Sequence, residues 1–162
     1  MIILGVDPGL TIAGFCILET NGKKINLHAY GTIKSDTKDS MPNRLKYLFE
    51  EVDKIIKKFK PDVLAIEDAF FSKNVKSAMV LGHARGSIIL AAALNNMIIR
   101  EYAPRKVKLS VCGSGAASKE QVSFMVMKIL RLEKQLKPYD ISDSIAVGLC
   151  FINQERLRWS SN

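Results

Sequence analysis

The run Ile2-Ile3-Leu4-Gly5-Val6 ends abruptly at Asp7-Pro8-Gly9, and this boundary limits the folds open to the chain. Five apolar residues are too few for a helix, and Pro8 and Gly9 punctuate the run. The segment therefore reads as a buried strand that turns sharply. Asp7 sits at the strand's tip, where a rigid element holds its carboxylate facing outward, a position suited to a metal ligand. Asp-Pro-Gly is also ordinary turn chemistry. The tripeptide alone supports either reading, and other acids in the chain must decide.

A second extended run, Ile12 to Leu18, precedes Asn21-Gly22, a strong hairpin signal, and Ile25 to Ile33 reads as a third strand. Ser40-Met41-Pro42 opens an amphipathic helix in which Leu45, Leu48, Phe49, Val52, Ile55, Ile56 and Phe59 recur at helical spacing until Pro61. Asp62 to Glu67 is apolar on both faces, which predicts a central strand parallel to the first. It also finishes in acid, at Glu67 and Asp68. Asn74 to Asn95 predicts a second helix, apolar nearly all round, with Gly82 and Gly86 four apart. Such a helix must be covered on more than one side, by a second copy or by the chain's own strands and loops. Met97 to Tyr102 reads as a strand. A basic segment, Arg105-Lys106-Val107-Lys108, and a Gly113-Ser114-Gly115 loop follow.

Ser118 and Gln121 form a capping box for a helix running through Leu130. Lys119 lies in its first turn, where positive charge opposes the macrodipole. It is either a solvated lysine or one facing a phosphate. The last helix opens at Pro138-Tyr139-Asp140-Ile141-Ser142-Asp143, and its two aspartates, three apart, share one face. Capping explains one of them better than it explains both. Glu155 to Asn162 reads as a short polar tail, expected to be flexible from about residue 155.

The 162 residues suit a single domain, 1–162, with a real core. A net charge of +8 points to a polyanionic partner, nucleic acid first. The start shows no secretory leader, and no apolar run is expected to span a membrane, so the cytoplasm is the expected compartment. Cys16, Cys112 and Cys150 lack paired spacing and read as buried free thiols. With His28 and His83 they make no zinc pattern.

Three antiparallel strands, a helix, a parallel strand and further helices follow an RNase H-like order: α/β, with a central five-stranded mixed sheet flanked by helices. In that layout Asp7, Glu67 and the Asp140/Asp143 turn converge. Four carboxylates bind hard divalent cations through oxygen, Mg²⁺ above all. Two ions about 4 Å apart would activate a water and stabilise the leaving 3′ oxygen of a phosphodiester.

The motifs resemble those of the RuvC family of Holliday junction resolvases, the crossover junction endodeoxyribonucleases. The resemblance is carried by Ile3 to Gly9 with Gly14, by Ala65-Ile66-Glu67 with Phe70 and Lys73-Asn74, and by Leu81 to Gly86. Glu101 to Lys108, Gly113 to Lys119 with Gln121-Val122, and the Asp140/Asp143 pair complete it. It implies that Asp7, Glu67, Asp140 and Asp143 are the catalytic, metal-binding acids, holding Mg²⁺ with Mn²⁺ able to substitute. It implies that Lys108 and Lys119 lie near phosphates and that Phe70 stacks on bases. It also implies a homodimer packed through the 74–95 helix, four-way junction DNA as substrate, symmetric nicking, and RuvA–RuvB as partners. Ser144-Ile145 replaces a usual Ala-Leu pair, and Cys16 a common glycine. Arg85 reads as mixed, its stem packed and its head reaching DNA. Competing readings are a catalytically silent junction-binding protein, a ribonuclease for RNA–DNA hybrids, and an actin-like ATPase, which needs two such domains.

Overall fold

A computed structural model describes residues 1–68 and 74–160, with side chains as far as Glu155. The strands β1 (Ile2–Asp7), β2 (Ile12–Thr20) and β3 (Ile25–Lys34) form an antiparallel meander. After α1 (Met41–Phe59), β4 (Val63–Glu67) pairs parallel to β1. After α2 (Val75–Leu94), β5 (Ile98–Tyr102) pairs parallel to β4. The sheet order is β3-β2-β1-β4-β5, the expected five-stranded mixed sheet.

Strand alternation sorts side chains between two cores. Leu4, Val6, Leu64 and Ile66 face α1 and α2, packing with Leu48, Val52, Ile56 and Ile88. Ile3, Val63 and Ala65 face the other way, toward α3 (Pro104–Cys112), α4 (Lys119–Leu130) and α5 (Tyr139–Ser160). The same alternation fixes where the strand tips point. Asp7 follows Val6, and Glu67 follows Ile66. Both acids therefore fall on the α3–α5 face.

The helix ends follow their local chemistry. Pro42 opens α1, and Lys60, left-handed at φ 48, donates its N–H to the Ile56 carbonyl before Pro61. The Asn74 side chain caps α2 by accepting from the Ser77 N–H. Ser118 and Gln121 bond reciprocally at the start of α4.

Three expectations need correction. The basic segment after β5 is a helix, α3, with Pro104 in its first turn and Gly113 left-handed at φ 73 after its end. The last helix runs on to Ser160, so the predicted tail is helical backbone through that residue. Finally, α2 is long and apolar enough to meet the length and composition test for a membrane span, with mean hydropathy 1.4. Its packing against α1 and β5 makes it a helix of this fold. The thiols are free. Cys16 and Cys150 are buried, and Cys112 only partly so.

Candidate active site

The start of α5 lies directly over β1 and β2 because two glycines let it. A Cβ on Gly14, the residue opposite Asp7, would collide with the Asp140 carbonyl. One on Gly5 would collide with the Ser144 carbonyl and stand 3.2 Å from the Gly148 nitrogen. Real Cβ atoms do not approach that closely, so glycine at both positions is a steric condition for seating the Asp140/Asp143 turn against the tip of β1.

The result is a pocket of about 170 Å³ into which three chain segments each send an acid: Asp7 from β1, Glu67 from β4 and Asp143 from α5. Lys108 on α3 and Lys119 on α4 line the same pocket, and Val107, Val122 and Ala146 supply apolar wall. Asp140 does not line it. It lies near enough for its charge to act on Asp7, Asp143 and Lys119. Phe70 lies outside the described residues.

The electrostatics show carboxylates short of counter-charge. Burial pushes Asp7 up to about 8, with further push from the negative charges of Glu67, Asp143 and Asp140. Glu67 is raised to about 7, by burial first and then by Asp143, against the pull of Lys119 and Lys108. Burial also raises Asp143, outweighing its contact with Lys119. Lys119 Nζ stands 3.1 Å from Asp143 Oδ2. Partial burial works against the ammonium's charge, yet the bond to Asp143 and the charges of Asp143, Asp7 and Asp140 hold it above the ordinary lysine range. Its position in the first turn of α4 thus has a partner inside the protein. It is neither simply solvated nor waiting on a phosphate alone.

The donor set is all oxygen and negative, which suits a hard divalent cation. Two of the acids retain protons near neutrality unless positive charge arrives. Among the described residues no three acids, histidines or cysteines stand close enough to close on one ion as they are placed.

Sequence reasoning assigned Arg85 a head that reaches DNA. Its head instead turns inward. Nε donates to the Glu67 carbonyl at 3.2 Å, and Nη2 stands 3.4 Å from Asp68 Oδ1 and in ion contact with Glu101 Oε2. Sequence reasoning also missed that a helix carries Lys108. Val107 and Val111, four apart and buried, were the available signal.

The description that matches this chain, over residues 3–151, is "Crossover junction endodeoxyribonuclease RuvC". The chain belongs to the RuvC family. The RuvC of Natranaerobius thermophilus is 45% identical over 158 residues, covering 98% of each chain. The solved structure of Thermus thermophilus RuvC matches with a TM-score of 0.89 at 28% identity, covering 98% of this chain and 97% of that one. T. thermophilus RuvC in complex with a Holliday junction substrate matches with a TM-score of 0.88 at 26% identity, covering 97% and 96%.

Proposed function

We propose that this chain is a structure-selective endonuclease that resolves Holliday junctions in DNA recombination and repair. The observation that carries the reading is the convergence of Asp7, Glu67 and Asp143, from three separate segments, on one pocket that Lys108 and Lys119 also line. Membership in the RuvC family supplies the substrate, since a T. thermophilus relative is solved with a Holliday junction.

In this reading Asp7, Glu67, Asp140 and Asp143 are the catalytic acids and hold Mg²⁺, two ions per site, with Mn²⁺ able to substitute. When bound, such a cation lowers the pKa of a water and neutralises charge on the leaving 3′ oxygen. The chain's own groups do the rest. Glu67 and Asp7, at the tips of β4 and β1, supply donor oxygens. Lys119, 61% exposed, can turn from Asp143 to a phosphate of the cleaved strand. Lys108 offers a second positive contact from α3. The net charge of +8 strengthens attachment to the junction's phosphates at low salt. Phe70, three residues on from Glu67 in the sequence, stacks on a base at the crossover.

Symmetric nicking needs two sites, and α2 offers a surface for pairing two copies. Val75, Met79, Leu90 and Leu94 on it are exposed, Met79 at 60% and Leu94 at 65%. A Cβ on Gly82 or Gly86 would meet nothing within 4 Å, so another backbone can approach there. A homodimer through this helix covers the apolar surface the fold leaves open. RuvA–RuvB is the partner expected of the family, and the bacterial cytoplasm is the compartment this reading requires.

The test is nicking of a four-way junction with Mg²⁺ supplied or chelated, beside the single substitutions Asp7→Asn, Glu67→Gln, Asp140→Asn and Asp143→Asn. Metal-dependent paired nicks, lost in each variant, support the reading. A junction bound but never cut in any divalent metal makes this a silent binding protein. An RNA–DNA hybrid cut while the junction is spared makes it a hybrid nuclease.

A further inference from the structure

Each strand-tip acid is paired on one side only, Asp7 with Gly14 of β2 and Glu67 with Tyr102 of β5. Pairing between β1 and β4 stops at Val6 opposite Ile66, so Glu67 has a strand neighbour on one side only, Tyr102 of β5. The Asp68 N–H donates to the Tyr102 carbonyl at 2.8 Å, and the sheet ends there. A metal ligand held by half a ladder needs a second hold, since small misplacements of a donor are costly.

Arg85 supplies that hold from outside the sheet. It rises from the middle of α2, between the fully buried Ala84 and Ile88. Its side chain is 17% exposed and reaches three residues at the ends of two strands: the Glu67 carbonyl, the Asp68 carboxylate and the Glu101 carboxylate. The Nη2 contacts are ion pairs without an aligned hydrogen bond, so the directed bond is that of Nε to the Glu67 carbonyl. Asp68 and Glu101 hold the guanidinium, and the guanidinium holds the backbone of Glu67.

We propose that Arg85 is a positioning residue for cleavage, fixing the backbone of Glu67 from α2 so that its carboxylate is set to hold the cation. The inference rests on the assignment of Glu67 as a metal ligand. Partners that orient a ligand from behind typically change metal affinity or activity by about 10–100-fold when removed. Lysine is not an adequate replacement. Its ammonium can pair with Asp68 or Glu101, but it lacks the planar fork that reaches the Glu67 carbonyl at the same time.

The decisive variant is Arg85→Lys in the full chain, with Glu101→Gln as a milder partner, since Glu101 is 47% exposed and keeps its size and shape in the change to Gln. Four quantities are measured: Mn²⁺ affinity of the DNA-free protein from the spin signal of unbound ion, the metal concentration that half-saturates junction nicking, junction affinity in chelator, and the melting temperature. Arg85→Lys is expected to weaken Mn²⁺ binding about 10-fold and to raise half-saturation by a similar factor. Nicking should recover at high metal, with junction affinity in chelator unchanged. Glu101→Gln should shift the same two quantities less. Wild-type Mn²⁺ affinity and half-saturation in Arg85→Lys would overturn the proposal. So would weaker junction binding with unaltered metal dependence, which would put the guanidinium on DNA. If Arg85→Lys does not fold, unchanged Mn²⁺ affinity in Glu101→Gln overturns it instead. A wild-type chain that binds Mn²⁺ but nicks no junction would refute the nuclease reading, while the Mn²⁺ measurements would still report on Arg85.

Discussion

The two faces of the sheet come from the same strands, one residue out of step, and they are built to different rules. On the α1/α2 face the strands end in Val6 and Ile66, inside a packed apolar layer. On the α3–α5 face the next residues are Asp7 and Glu67, and the layer above is close enough to require glycine beneath it. One face is specified by volume. The other is specified by close approach and charge, and it is left electrostatically incomplete. The largest test of this contrast is Asp7→Asn beside Val6→Ala. Asp7→Asn should lower junction cleavage by at least about 10³-fold, equivalent to several kcal/mol of lost transition-state stabilisation. It should retain junction binding, because Lys108, Lys119 and the net charge of +8 are untouched. Val6→Ala should cost stability and leave the cleavage rate of the folded fraction near that of the parent. Comparable loss of cleavage in both would erase the distinction.

Stability measurements sharpen the contrast further. Leu48, 1% exposed on α1, packs in the apolar layer with Val52 and Ile56. Leu48→Ala should lower unfolding free energy by about 2–5 kcal/mol in urea titrations. On the opposite face the damaging change is an addition. Gly14→Ala forces a methyl group into the Asp140 carbonyl, and overpacking of this kind costs about 1–3 kcal/mol. It should also depress cleavage beyond that loss, because what must move is the turn carrying Asp140 and Asp143. Full activity in folded Gly14→Ala would show that this close approach is dispensable.

The legibility of the two faces differs as their construction does. The α1 stripe, the helix boundaries at Pro42, Pro61 and Ser118, and the parallel pairing of β1 with β4 follow from periodicity and local chemistry, and all were readable in the sequence. So was the prospect that acids at two strand tips and one helix turn share a site, although the α3 helix beside them was not. Arg105, Lys106, Lys108 and Ser110 break up its apolar residues, and two buried valines are too few to establish a period, leaving Pro104 and Gly113 as the only signs of its ends. The inward turn of Arg85 was illegible for another reason. Its partners, Asp68 and Glu101, lie 17 and 16 positions away, and no local rule says that a helical arginine will meet them. Phe70 lies outside the described residues, so its role rests on the family alone.

The pH dependence of stability separates the faces by sign. On the α1 side, Asp53 is held below the usual carboxylate range by hydrogen bonds from Lys57 and Asn95. Its contribution is present above the unfolded value near 4 and is lost only in acid. In the pocket the order reverses. Asp7 at about 8 and Glu67 at about 7 stand above their unfolded values. Between about pH 4 and pH 8 the folded, metal-free protein therefore keeps protons that the unfolded chain releases. Unfolding free energy must fall as pH rises through that window, by at most about 1.4 kcal/mol per pH unit for each acid. Urea titrations in chelator at pH 5, 6, 7 and 8 should show this decline, and Asp7→Asn should flatten it by removing one proton and easing repulsion of Glu67. Saturating Mg²⁺ should flatten it too, because the cation stabilises the ionised acids and takes the place of the protons. Metal-free stability that holds level or rises from pH 5 to 8 would mean that the acids already have their counter-charge in Lys108 and Lys119, and that the pocket is complete without an ion.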